Sequence, residues 1–257
     1  MSFIIIPLVA AGASLLTFFS GFGLGTLLTP VFAVFFPIEQ AIALTAIVHF
    51  LNNLFKLFLV GRFARPSILL RFGVPAVLAS IIGAWTLGQV SGLGAICSYV
   101  LLGREFAILP VKLILAVLIA AFTLFELVPR LHNLEVDKRH LALGGVLSGF
   151  FGGLSGHQGA LRSAFLARSG LTKEQFVGTG TVIASIIDVA RISVYAGQIS
   201  ATRVLDNLPI LGLTTLFAFA GAFVGNKLLK KITMLNVQRL VSLSLLLLAI
   251  ALGAGLI

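Results

Sequence analysis

The stretch SGFGLGTLLTP, residues 20–30, sits inside an apolar run that extends from residue 3 to residue 36. Gly21, Gly23, Gly25, Thr26, Thr29 and Pro30 interrupt what would otherwise be one membrane helix. A straight helix over the whole run would be about 51 Å long at 1.5 Å per residue, against a hydrocarbon core of about 30 Å. The glycines are the natural place to turn. The run therefore predicts a helix over 3–19, a break, and a returning arm over 24–36. A helix broken in lipid leaves backbone N–H and C=O groups without partners, at several kcal/mol each unless protein or water satisfies them. An arm starting near Gly25 points free N–H groups and the positive end of its dipole inward, where an anion can be held. Glycine lets that anion approach the backbone closely, and the hydroxyls of Thr26 and Thr29 add donors.

The rest of the chain supports the premise of lipid. Its 257 residues are 59% hydrophobic and 10% charged, with a mean hydropathy of +1.13. A soluble domain needs a more polar coat than that. Further apolar runs fall at 39–60, 68–90, 108–128, 139–155, 159–170, 174–197, 205–228 and 236–257. The short apolar stretch 92–103 reads as interfacial. The alternation of a membrane β-barrel is absent. The expected fold is an all-α polytopic membrane protein of about 8–10 membrane segments. MSFIIIPLVAAG at the start has no basic region and reads as the first membrane segment.

The net charge of +10 comes from 18 Lys+Arg against 8 Asp+Glu. Most of the excess lies in short loops, which points to membrane topology and excludes nucleic acid as the expected partner. The single cysteine, Cys97, excludes an internal disulfide and a multi-cysteine metal site. His49 and His157 have no matching carboxylate or thiol cluster, so neither a metal nor a cofactor is expected.

The charged segment RLHNLEVDKRH, 130–140, divides the chain into a first membrane half, 1–129, a linker, 130–138, and a second half, 139–257. A shift of 135 positions aligns residues 18–60 with the second half without gaps. Ser20–Gly21 meets Ser155–Gly156, EQAI at 39–42 meets EQFV at 174–177, Asn53 meets Asp188, and Lys56 meets Arg191. GGLSGHQG, 152–159, supplies a second break with Gly156 and Gly159. Arg62, Arg65 and Arg71 follow the 39–60 helix, whereas Lys227, Lys230, Lys231 and Arg239 crowd the junction before the last helix. If these and the central linker all face the cytoplasm, the halves are inverted repeats and both termini lie outside.

After the second break come His157, Gln158, Arg162 and Ser163. An arginine inside a membrane segment usually faces a partner or a water-filled cavity, and its planar fork suits an oxyanion. Arg162 aligns with Leu27, so it breaks the pseudo-symmetry. The helix 39–60 places Thr45, His49, Asn52, Asn53 and Lys56 along one stripe, and its counterpart places Thr181, Ser185, Asp188 and Arg191 similarly. Asp188 is an intramembrane acid that must be paired, protonated or functional. A salt bridge to Arg191 or Arg162 is one reading; proton coupling, with His49 and His157 as further titrating groups, is the other.

These glycine patterns resemble the TauE/SafE family of sulfite exporters. GFGLGTLLTP resembles that family's first half, GFFGGLSGHQGALRSAFLARSGLTKEQFVGTGT (149–181) its second, and GAFVGNKLLKKI (221–232) its close. The resemblance implies a polytopic inner-membrane protein with two homologous halves that moves sulfite, sulfonates or related organosulfur anions, usually outward. His157 and Gln158 stand where the family commonly has a glycine cluster.

The expected function is a secondary transporter, not an enzyme, for a small sulfur-containing anion held between the two breaks. Gly21, Gly23, Gly25, Thr26, Thr29, Gly156, His157, Gln158, Gly159, Arg162 and Ser163 are the candidate binding residues. His49, Asn53, Lys56, Asp188 and Arg191 are candidates for coupling or gating. Membrane lipid and a second copy of the chain are the other candidate partners. No Walker-type phosphate loop occurs to serve nucleotide-driven pumping. Two other readings stay open. SGHQGALRS, 155–163, faintly resembles loops of membrane undecaprenyl-diphosphate phosphatases, although no acid stands beside its His and Arg. An anion channel or membrane scaffold is the other.

Overall fold

A computed structural model of the chain describes every residue other than 21–23, 102, 128–137, 168, 202–203, 229–234 and 257. Helices dominate, as they must where no water is present to satisfy the backbone. In order they are α1 (Ser2–Ser20), α2 (Leu24–Ala33), α3 (Ile38–Val60), α4 (Pro66–Ser91), α5 (Pro110–Leu127), α6 (Leu141–Ser155), α7 (Gly159–Leu166), α8 (Lys173–Ala201), α9 (Leu208–Leu228) and α10 (Leu235–Gly253). A π-helical turn at Leu69–Gly73 lies within α4. Among the described residues, Gln40–Phe63, Pro66–Ser91, Lys173–Ala196 and Leu208–Lys227 are long and apolar enough to cross a bilayer, and Ser2–Phe18, Pro110–Leu124 and Leu141–Ser155 are shorter apolar helices. The chain is a multi-pass membrane protein.

One segment departs from the all-helical expectation. Residues 92–103 begin an antiparallel hairpin of β1 (Cys97–Leu101) and β2 (Arg104–Ile108), with Tyr99 opposite Phe106. Tyr99 donates its hydroxyl to the Ala254 carbonyl at 2.7 Å, which ties the hairpin to the end of α10. Short apolar runs of this length do not distinguish strand from helix by periodicity.

The helices pack in a reciprocal pattern. α4 lies along α6, and α1 along α9; α3 lies against α8, and α5 against α10. Small residues let the first two pairs approach closely. A methyl group added at Gly145, Gly149 or Gly153 of α6 would run into the carbonyl oxygens of Phe72, Ala76 and Ser80 of α4 respectively. One added at Gly221 of α9 would run into the Ala11 carbonyl of α1. These glycines serve packing. The shorter α2 rests on α1 and α3, and α7 on α6 and α8.

Polarity is arranged inside out relative to a soluble protein. Ile4, Phe58, Trp85, Leu216 and Leu247 are exposed, which suits a lipid-facing surface. Ser14, His49, Asn52, Asn53, Lys56, Asp188 and Arg191 are buried between α1, α3 and α8.

Candidate functional site

The centre of the polar interior is the Asp188 carboxylate, which is fully buried. Its Oδ2 accepts from His49 Nδ1 at 2.6 Å and from Asn53 Nδ2 at 2.9 Å. Its Oδ1 accepts from Arg191 Nε at 2.9 Å and from Gln158 Nε2 at 3.3 Å. Helical spacing makes this possible: His49 and Asn53 share a face of α3, four apart, and Asp188 and Arg191 share a face of α8, three apart. An ionised carboxylate can only accept, so the His49 proton that meets it sits on Nδ1. Nδ1 also lies 3.1 Å from Asn53 Nδ2; both are then donors, and both serve Asp188.

Arg191 packs against the turn between α6 and α7. α6 ends at Ser155, and Gly156 follows with φ +81°, its N–H returning to the Gly152 carbonyl at 2.9 Å. That left-handed cap favours glycine. The packing requires glycine too, because a methyl group there would lie 2.9 Å from Arg191 Nη1. Tyr195, one turn further along α8, donates to the Gly153 carbonyl. The start of α2 comes close to that turn: a methyl group on Gly25 would sit 3.4 Å from the Gly156 carbonyl oxygen and 4.0 Å from the His49 ring.

Beside this network lies a cavity of about 480 Å³, counting the space open at its mouth. Its polar lining is Thr17 from α1, His49, Asn53 and Lys56 from α3, Arg162 and Ser163 from α7, and Thr181 from α8. Lys56 Nζ stands 5.5 Å from the centre of the Phe18 ring, within reach of a cation–π attraction. Arg162 Nη1 donates to Gln158 Oε1 at 3.2 Å. Among the described residues, no carboxylate lines the cavity, and none lies within 4 Å of Lys56 or Arg162. The Ser163 hydroxyl is buried without a hydrogen-bond partner among the described residues.

The chain matches the sulfite exporter TauE/SafE family over residues 6–252. It belongs to that family. Membership makes it a membrane transporter of the sulfite-exporter type. No curated protein and no solved structure gives a match.

In this TauE/SafE protein the sequence candidates divide into three groups. Arg162, Ser163, His49, Asn53 and Lys56 line the cavity. Asp188, Arg191 and Gln158 lie behind it, and both amide atoms of Gln158 are taken by protein partners. His157 stands apart from the lining: its Nδ1 is 2.9 Å from Ser155 Oγ, its ring stacks on Phe122, and its Nε2 is buried without a partner among the described residues. Thr29 is buried on α2 outside the lining, and Gly159 is the first residue of α7. Gly21 and Gly23 lie outside the described residues, as does the side chain of Thr26. Sequence reading missed Thr17 and Phe18 at the cavity and Tyr195 under the break. The available signal was the polar pair Ser14 and Thr17, three apart in an otherwise apolar helix. Ser14 donates to Asn52 Oδ1 at 3.1 Å, so Asn52 turns to α1 while Asn53 turns to Asp188.

Proposed function

We propose that this protein is a secondary transporter that exports a small sulfur-containing anion, sulfite or an organosulfonate, and binds it near the middle of the membrane in the cavity between the two helix breaks. The observation that carries the reading is a cavity lined by Lys56 and Arg162 with no described carboxylate beside either. A buried charge costs several kcal/mol unless it is paired and hydrogen-bonded. An anion entering the cavity supplies that pairing. The Arg162 fork takes two oxygens of one oxyanion, and Ser163 offers a hydroxyl donor that has no described protein partner. Membership of a membrane transporter family favours transport over an enzymatic reaction.

Alternating access fits the architecture. We take residues 1–129 and 139–257 as inverted repeats joined by the linker 130–138, each opening with a glycine-broken hairpin. Support comes from the reciprocal packing of α4 on α6 and α1 on α9. Asn53 and Asp188, which match at an offset of 135, touch each other at 2.9 Å, as equivalent residues beside a two-fold axis do. The basic loops then face the cytoplasm and both termini face outward. Cysteine labelling tests this arrangement: labels at 62–71 and 227–231 reach the same side if it holds, and opposite sides if it does not. His49 and Asp188 form the proton-coupling element of the reading, because a titratable imidazole that lines the cavity is bonded to the buried acid.

The deciding experiment is purified protein in liposomes, assayed with sulfite, sulfate, thiosulfate and sulfoacetate, with and without a pH gradient. Saturable flux that responds to the gradient supports the reading. Flux without saturation makes the protein a channel. Absence of flux, together with hydrolysis of a lipid pyrophosphate, makes it the phosphatase.

A further inference from the structure

We infer that the site selects an anion carrying two negative charges and rejects a sulfonate that carries its own ammonium group; the inference rests on the transport reading above. It follows from which charges around the cavity are already matched. Asp188 lies behind the cavity, and Arg191 matches it, with Nε and Nη2 both 2.9 Å from Oδ1. Its other partners, His49, Asn53 and Gln158, fill the remaining acceptor positions of both carboxylate oxygens. Asp188 therefore has no position left for a substrate ammonium.

Lys56 and Arg162 remain. They reach the same cavity from different helices, α3 and α7, and among the described residues neither has a carboxylate within 4 Å. Lys56 has the Phe18 ring and Arg162 has the Gln158 amide oxygen, and neither partner carries charge. A singly charged sulfonate neutralises one cation and leaves the other exposed to its like-charged neighbour. A dianion neutralises both. A zwitterionic aminosulfonate neutralises one and adds a third positive group to a cavity whose other described polar lining is neutral: Thr17, Asn53, Ser163, Thr181 and the His49 ring. Lys56 is thus the residue that sets charge class, and Arg162 the one that holds the oxyanion head.

The test is equilibrium binding to the full-length protein in detergent or nanodiscs, using three probes with one sulfonate head and different tails: sulfoacetate (carboxylate), ethanesulfonate (no charge) and taurine (ammonium). Wild type is expected to bind sulfoacetate at least about tenfold more tightly than ethanesulfonate, and taurine more weakly than either. In Lys56→Met the sulfoacetate preference is expected to shrink to about threefold or less. If that variant does not fold, the wild-type ranking decides alone. Ethanesulfonate or taurine binding as tightly as sulfoacetate overturns the charge selection and leaves anion transport standing. Retention of the full preference in folded Lys56→Met overturns the role of Lys56. Failure of wild type to bind any of these probes, or sulfite or sulfate, overturns both the selection and the transport reading.

Discussion

Lys56 on α3 and Arg191 on α8 lie 135 positions apart in the sequence, and the residue three positions before each decides how it is paired. Three positions before Lys56 is Asn53; three positions before Arg191 is Asp188. The acid pairs Arg191 at 2.9 Å and makes it part of the frame beneath Gly156. The amide leaves Lys56 at the cavity with no described acid beside it. The two arms differ in the opposite sense. α2 buries Leu24, Leu28 and Phe32 in an apolar cluster, whereas α7 brings Arg162 and Ser163 to the cavity. Each half thus supplies one cation to the cavity, the first from its long helix and the second from its short arm. On the repeat reading proposed above, Arg191 pairs within the protein and Lys56 is the cation available to a ligand.

Asp188→Asn cuts deepest into this comparison, because it gives the second half the amide of the first. Arg191 then stays buried without its counter-charge. Loss of one partner of such a pair costs about 3–5 kcal/mol. A large fall in the thermal midpoint in detergent, with loss of flux, is expected; an unchanged midpoint would mean that the Asp188–Arg191 pair does not hold the break.

Arg162→Ala removes a cation that has no described acid partner, so its effect should fall on function and spare the fold. Anion flux at low substrate is expected to drop by about 30-fold or more, corresponding to roughly 2 kcal/mol of lost charge pairing. The thermal midpoint should stay close to wild type. A midpoint loss as large as that of Asp188→Asn would move Arg162 from the ligand site into the frame.

The two glycines that meet at the breaks can be separated next. Gly156→Ala forces a side chain into a left-handed backbone, at about 1–2 kcal/mol, and pushes it onto Arg191. Gly25→Ala meets nothing nearer than 3.4 Å and lies in a helix, where alanine is favoured by about 1 kcal/mol. Unfolding and flux measured on both variants should show damage in the first alone. Equal damage would show that the first break constrains its backbone as tightly as the second.

The smallest effect belongs to Gln158→Met. It breaks the link from Arg162 to Asp188 while leaving both charges in place. About 1 kcal/mol, or roughly fivefold in apparent affinity, is expected. No change in affinity would mean that Arg162 is positioned without the amide.

Much of this was legible in the residues. Each apolar run coincides with a helix to within a few residues, because lipid leaves the backbone few alternatives. The stripe through His49, Asn53 and Lys56 was legible because helical spacing is short-range. The partition within that stripe was not: Asn52 and Asn53 are neighbours in sequence, yet one serves Ser14 and the other Asp188. The hairpin at 97–108 was hidden because five-residue strands carry too few periods to declare themselves. His49 and Asp188 are 139 residues apart, and no local pattern announces that they are hydrogen-bonded to each other.

The sequence by itself determined that the chain lives in lipid, where its helices run, and that charged groups are carried into the apolar interior. Composition and length decide those matters, since the bilayer penalises unpaired backbone wherever it occurs. Only the tertiary structure decided which of those charges are paired with an acid of the protein and which have none beside them among the described residues. Charge pairing is settled within about 4 Å, and the groups that meet at that distance come from three helices, α3, α7 and α8, and the turn at Gln158.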